Sequence, residues 1–215
     1  MVSGSAVLLA SGKHDLRGAA RPAGPDEIGL KQYFRDAAAY RALAGTVRVV
    51  FFDGGYAGVQ PVEDGRINLC LLVAGAHFRH LGGWPALFAR LVTEPGLALL
   101  ADAVPLRDRP LAISRVPYGH LAPADDTVTH LWRLGDQAAV IPSFCGDGMA
   151  IALESGRLAA AMLADGASAA AYQRALYART RGPVRLAMAA LRLARHPVGR
   201  IAAIAGLAAV PGALA

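Results

Sequence analysis

The chain has 215 residues, 54% of them hydrophobic and 18% charged. That length buries a sizeable core in one large domain or two small ones, and the composition excludes intrinsic disorder. Net charge is +6 with a pI of about 9.8. The basic residues are mostly arginines spread along the chain, densest over Arg174–Arg200, without aromatic interleaving of the RNA-binding kind; no nucleic-acid partner is expected.

In chain order, Ala6–Ala10 is a short apolar run closed by Ser11-Gly12 and predicts a buried parallel strand. Met1–Ala10 is too short for a signal peptide and has no basic start. Gly29–Phe34 alternates weakly and predicts a strand, and Asp36–Leu43 a helix. Val47–Phe52, Tyr56–Pro61 and Ile67–Ala74 then predict an antiparallel meander, turned at Asp53-Gly54-Gly55 and Asp64-Gly65. Trp84–Leu91 and Gly96–Ala101 read as helices, and Leu111–Pro117 as a strand.

Val128–Leu134 is β-rich and leads into Gly135-Asp136. Gly148–Leu163 predicts a helix stopped at Gly166. Ser168–Thr180 and Pro183–Ala194 predict two more. The apolar stretch Ile201–Ala215 is too short for a membrane span and is broken by Pro211 and Gly212.

Cys70 and Cys145 match no zinc or disulfide spacing, so a reducing, cytoplasmic setting is expected. The six histidines show no ligand spacing; His77 and His80 are expected on a surface loop near a strand end. No metal is expected. Tyr56 and Tyr118 suit sheet packing better than a substrate pocket, and Cys145 reads as a small loop residue rather than a redox group.

The densest chemistry lies at residues 135–160. A strand ending in Gly135-Asp136 puts a carboxylate at the carboxyl edge of a sheet, where open α/β sheets bind ligands. Ionised, Asp136 only accepts hydrogen bonds and suits sugar-alcohol hydroxyls. Gly135 admits close backbone approach, Pro142 stiffens the loop, and Gly146-Asp147-Gly148 gives a tight turn into a helix. The amides at that helix start, around Gly148 and Met149, favour an anion or developing negative charge. Ala150, Ala152, Gly156, Ala159 and Ala160 let the helix lie close to its neighbours.

These residues resemble the flavin-contacting segment of the FAD-dependent group containing geranylgeranyl reductases, aromatic-ring hydroxylases and flavin-dependent halogenases. The shared pattern is Gly135-Asp136-Gln137-Ala138, Pro142, Gly146-Asp147-Gly148 and Glu154-Ser155-Gly156-Arg157-Leu158-Ala159-Ala160, and the last run looks closest to the geranylgeranyl reductase-like branch. Gln137 departs from the usual alanine. The resemblance implies that Asp136 contacts the ribityl or pyrophosphate region and that the Gly146–Met149 amides approach the isoalloxazine ring. Phe51–Pro61 looks like the sheet covering the flavin on its substrate side. Ser11 and Arg17 depart from the motif that follows the family's corresponding strand, so no NAD(P)H-contacting role is carried onto that loop.

The family's nucleotide-binding Gly-x-Gly-x-x-Gly follows no strand in these 215 residues, so the chain resembles the C-terminal portion of such an enzyme. The expected fold is α/β. Residues 1–18 and 125–165 form part of a Rossmann-type FAD-binding layer, 28–122 an antiparallel substrate-domain sheet, and 166–215 C-terminal helices. By resemblance the function is FAD-dependent hydroxylation or reduction of a small apolar organic substrate, with NAD(P)H as a candidate electron donor. The alternative is a non-catalytic remnant, or a partner of a separate subunit that carries the nucleotide-binding half. A third reading has the basic C-terminal helices dock peripherally on a membrane.

Overall fold

The computed structural model describes residues 6–17, 20–125 and 130–195. In chain order its strands and helices are β1 (Val7–Leu9), β2 (Glu27–Arg35), α1 (Ala37–Ala42), β3 (Arg48–Phe52), β4 (Gly55–Val62), β5 (Arg66–Ala74), α2 (Gly75–Leu81), α3 (Trp84–Leu91), β6 (Val104–Pro105), β7 (Leu111–Ser114), β8 (Leu131–Arg133), α4 (Gly148–Ala164) and α5 (Ala169–Ala194). They fall into two compact units. One comprises residues 24–116 with 193–195; the other comprises the described residues up to 23 and those from 117 to 192.

The 24–116 unit is an antiparallel sheet in the order β3-β4-β5-β2-β6, with β7 also paired to β2. Period-two patterning sets its register. Leu30 lies opposite Leu71 and Phe34 opposite Ile67, and these residues share one apolar core with Val59, Leu69, Val73, Leu87 and Leu91. Phe34 stacks on Phe88 of α3 at 5.2 Å. Asp36 caps α1, its Oδ1 accepting from the Ala39 N–H at 2.7 Å. The expected Asp64-Gly65 turn forms with Asp64 at φ 60°. At the unit's two ends, the Gly24 N–H donates to the Arg115 carbonyl at 3.2 Å. A Cβ on Gly24 would stand 2.1 Å from the Val116 oxygen, so no other residue fits there.

Three expectations change in this unit. Residues 96–101 make a single 3₁₀ turn at Ala98–Leu100 instead of a helix; Gly96 is pressed so close to β3 that a Cβ would meet Val50 at 2.5 Å. His77 and His80 lie on α2, which a left-handed Gly82 terminates, and not on a loop. The strand expected over 111–117 ends at Ser114, because Arg115 turns to φ 55°.

In the other unit β1 pairs in parallel with β8, Val7 opposite Leu131. Its expected burial fails: Val7 is 54% and Leu8 49% exposed, and of the three residues only Leu9 is buried. Among the described residues this sheet has two strands, so neighbours on both sides, which bury an interior parallel strand, are lacking. α4 starts at Gly148 as expected, and Gly166 takes a left-handed conformation just beyond its end.

The two helices expected over 168–180 and 183–194 are one, α5, with Pro183 inside it. A single buried stripe of Tyr172, Leu176, Thr180, Val184, Ala187 and Leu191 runs through that position. This continuous burial outweighs the backbone hydrogen bond that proline cannot donate. Residues 196–215, which include the apolar stretch from Ile201, lie outside the described residues. No helix among the described residues is long and apolar enough to cross a membrane.

Candidate functional site

A cavity of about 400 Å³ lies within the second unit. Three segments wall it. Ala10, Gly12 and Lys13 follow β1; Leu134, Gly135 and Asp136 follow β8; Gly148, Met149 and Ala152 open α4. The parallel pairing of β1 and β8 brings the first two segments to the same carboxyl edge of the sheet. The third approaches because Gly135 has no side chain. Gly135 sits at φ +53°, and a Cβ on it would stand 3.3 Å from that of Ala152. The Gly135 N–H donates to Ser155 Oγ at 2.9 Å, and that hydroxyl donates on to the Ala152 carbonyl at 2.8 Å. A fully buried serine two helical turns inside α4 thus ties the helix to the turn that carries Asp136.

Asp136 is held at both ends. Its carboxylate Oδ2 accepts from Lys13 Nζ at 2.9 Å, and its carbonyl accepts from Arg21 Nη1 at 2.5 Å. Arg21 is 7% exposed. It also donates to Asp15 Oδ1 at 2.7 Å and to the Lys13 carbonyl at 2.9 Å. The Arg21 guanidinium holds the Asp15 carboxyl below the usual carboxylate range. Burial, with Arg21 nearby, holds the His120 imidazole below its ordinary value.

Beyond Asp136 the chain runs along residues 119–122. The Gly119 N–H donates to the Val140 carbonyl, and the Ala122 N–H to the Ala138 carbonyl, each at 2.8 Å. Pro142 then leads into a 3₁₀ turn at Ser143–Cys145, closed by Gly146 at φ +78°. Asp147 precedes α4 and its side chain makes no capping bond to the helix.

Of the residues singled out from the sequence, Gly135, Asp136, Gly148 and Met149 meet on the cavity wall. Pro142, Gly146 and Asp147 shape the approach to α4 from outside that wall. Tyr118 shares a hydrogen bond of 2.6 Å with Ser143. Tyr56 is buried in its own unit, its ring beside that of Phe51. Burial, reinforced by Asp147, pushes the Cys145 thiol up to about 11, so it is not a poised thiolate. Lys13 and Arg21 carry no sequence signal for the site, because their roles rest on contacts across more than a hundred residues. Ser155 belongs to the Glu154–Ala160 run of the shared pattern, which gives it no role of its own. Among the described residues no cluster of His, Cys, Asp or Glu could hold a metal.

No protein-family model matches the chain, and no curated protein does. Solved structures do match. PqsL of Pseudomonas aeruginosa, described as a probable FAD-dependent monooxygenase, superposes with a TM-score of 0.63 at 21% identity, over 96% of this chain and 59% of its own. HpxO of Klebsiella pneumoniae, solved with FAD and uric acid, gives 0.61 at 18%, over 91% of this chain and 53% of its own. The myxobacterial FAD-dependent halogenase CndH gives 0.59 at 18%, over 80% and 43%. The fold is therefore one that occurs within FAD-dependent monooxygenases and halogenases. The chain spans between 43% and 59% of the length of these three proteins.

Proposed function

We propose that the chain forms the ring-facing and substrate-side portion of an FAD-dependent oxidoreductase that hydroxylates a small organic substrate. The observation that carries this reading is the meeting of Lys13, Asp136 and the start of α4 on one cavity wall. The donor set suits a flavin. Asp136 presents a second carboxylate oxygen to a ribityl hydroxyl while Lys13 occupies the first. Ala10, Leu134, Met149 and Ala152 offer apolar wall to a planar ring. A Cβ at Gly12 or Gly148 would meet nothing within 4 Å, so the backbone is open to close approach at both places. The volume lies at the lower end of the range for small-molecule sites.

When bound, the flavin would supply the redox chemistry, with NAD(P)H as electron donor. This chain's part is to orient it. Asp136 anchors the sugar alcohol, Lys13 and Arg21 hold Asp136 in place, and the first amides of α4 face developing negative charge. PqsL has been solved with 2-aminobenzoylacetate and HpxO with uric acid. The description of PqsL as a probable FAD-dependent monooxygenase supports hydroxylation here over the reduction that the Glu154–Ala160 run suggests.

A second reading has this chain hold FAD only together with a separate subunit bearing the nucleotide-binding half. It is favoured by apolar surface left uncovered on the cavity unit, with Met149 at 78% and Leu153 at 76% exposure on α4, and by Val7 and Leu8 on β1. The full chain, desalted and titrated with FAD while flavin fluorescence is followed, separates the two. Stoichiometric uptake supports the first. A folded, colourless protein that takes up FAD only with a partner added supports the second.

A further inference from the structure

Gln137, which departs from the alanine that the resemblance implies at this place, is fully buried. Its carboxamide nitrogen donates to the Gly12 carbonyl at 2.8 Å and to the His14 carbonyl at 2.9 Å. The carbonyl between them, that of Lys13, accepts from Arg21 at 2.9 Å, and Arg21 also grips the Asp136 carbonyl. Three successive carbonyls of the 12–14 loop are thus tied to the turn that carries Asp136. The loop adds two bonds of its own, Ser11 Oγ donating to the His14 carbonyl at 2.7 Å and the His14 N–H donating to the Ser11 carbonyl at 3.2 Å. With its backbone held in this way, the loop places the Lys13 side chain on the cavity wall, 2.9 Å from Asp136. The arrangement has a cost: Gln137 Oε1 is buried with no hydrogen-bond partner, which an alanine would avoid. A costly buried amide whose two donors both serve one loop points to a role in that loop's geometry.

We propose that Gln137 is a positioning residue: its amide fixes the 12–14 loop so that Lys13 stands beside Asp136 on the wall of the flavin cavity. The role in flavin binding rests on the function proposed above; the placing of Lys13 does not.

The chain has two lysines, Lys13 and Lys31, so amine acylation read peptide by peptide reports on Lys13 with Lys31 as the internal standard. Gln137→Met keeps the bulk of the side chain and removes both donors. It is expected to raise Lys13 labelling relative to Lys31 about threefold, as the ion pair that protects the amine loosens. FAD affinity is expected to fall about tenfold. In a Lys13→Gln background the same change should cost no further FAD affinity, because its effect acts through Lys13. Gln137→Ala, the residue of the resembling enzymes, is the second variant. An unchanged labelling ratio in a folded variant overturns the proposal, and so do affinity losses that simply add. Failure of both variants to fold would make Gln137 a structural residue and overturn it equally. If the wild-type chain takes up no FAD by itself, the first reading of the function falls, and the labelling ratio still decides whether Gln137 places Lys13.

Discussion

The two units are held together by different means. Residues 24–116 rest on apolar burial in a registered sheet, with Phe34, Leu43, Ile67, Leu87 and Leu91 each at 1% exposure or less. Among the described residues the cavity unit has two strands of three residues each. It packs smaller apolar clusters, around Trp132 and Leu158 and around Ile141 and Val184, and adds buried polar side chains at its joints: Arg21, Gln137, Ser155, and Tyr172, whose hydroxyl reaches the Arg133 carbonyl at 2.9 Å. Packing is non-directional and tolerates small displacements, whereas hydrogen bonds fix angles and distances. Construction of the second kind fixes the position of the Asp136 carboxylate more sharply than packing alone would.

Substitutions can test that contrast. Phe34→Ala removes the ring stacked on Phe88 and should cost about 3–5 kcal/mol of stability, measured by denaturant unfolding. A loss under 1 kcal/mol would contradict the picture of a packed sheet unit. Arg21→Leu removes three hydrogen bonds to a charged donor while keeping apolar bulk, and should cost about 1.5–3 kcal/mol. If thermal melting were unchanged, the polar joints would not be holding the cavity unit. Asp136→Ala should reduce FAD affinity about tenfold, close to 1.4 kcal/mol. It should shift melting little, because the Lys13 pair it breaks is partly exposed. Equal FAD affinity in the two proteins would remove Asp136 from the site.

The smallest effect concerns Cys145. Its thiol in the folded chain ionises at about 11, above its ordinary value. The fold thus favours the protonated form, and this contribution is complete below the ordinary value and fades as pH rises towards 11. Iodoacetamide should alkylate Cys145 slowly at pH 8 in the native state and quickly once the chain is unfolded. Equal rates would show that the loop does not bury the thiol.

The same contrast explains what could be read from the sequence. The meander, the helix expected over Asp36–Leu43 and the Gly166 stop follow from period-two patterning and local backbone preferences, and all three appear in the structure. The Gly135-Asp136 turn and the Gly148 helix start were legible because glycine marks them in the chain itself. Arg21 was not: nothing in the spacing of an arginine shows that it will bond a carbonyl 115 residues away. Gln137 registered as a departure from a pattern, and its function depends on where two distant carbonyls point. Reading α5 as two helices and β1 as buried failed for a related reason. Tertiary burial decided both outcomes, overriding the proline in one case and withholding cover in the other.

The hydrogen bond from Gly24 to Arg115 carries one more consequence. The 24–116 segment leaves and rejoins the chain at a single point, so it has the layout of a cassette. Segments whose ends meet can be exchanged, lengthened or shortened without changing the distance the flanking chain must bridge. Grafting a different antiparallel sheet between residues 23 and 117 would replace this unit while leaving the chain's own Lys13, Asp136 and Gln137 in the sequence. In such a graft the residue at position 24 must remain glycine, because the closing contact leaves no room for a side chain.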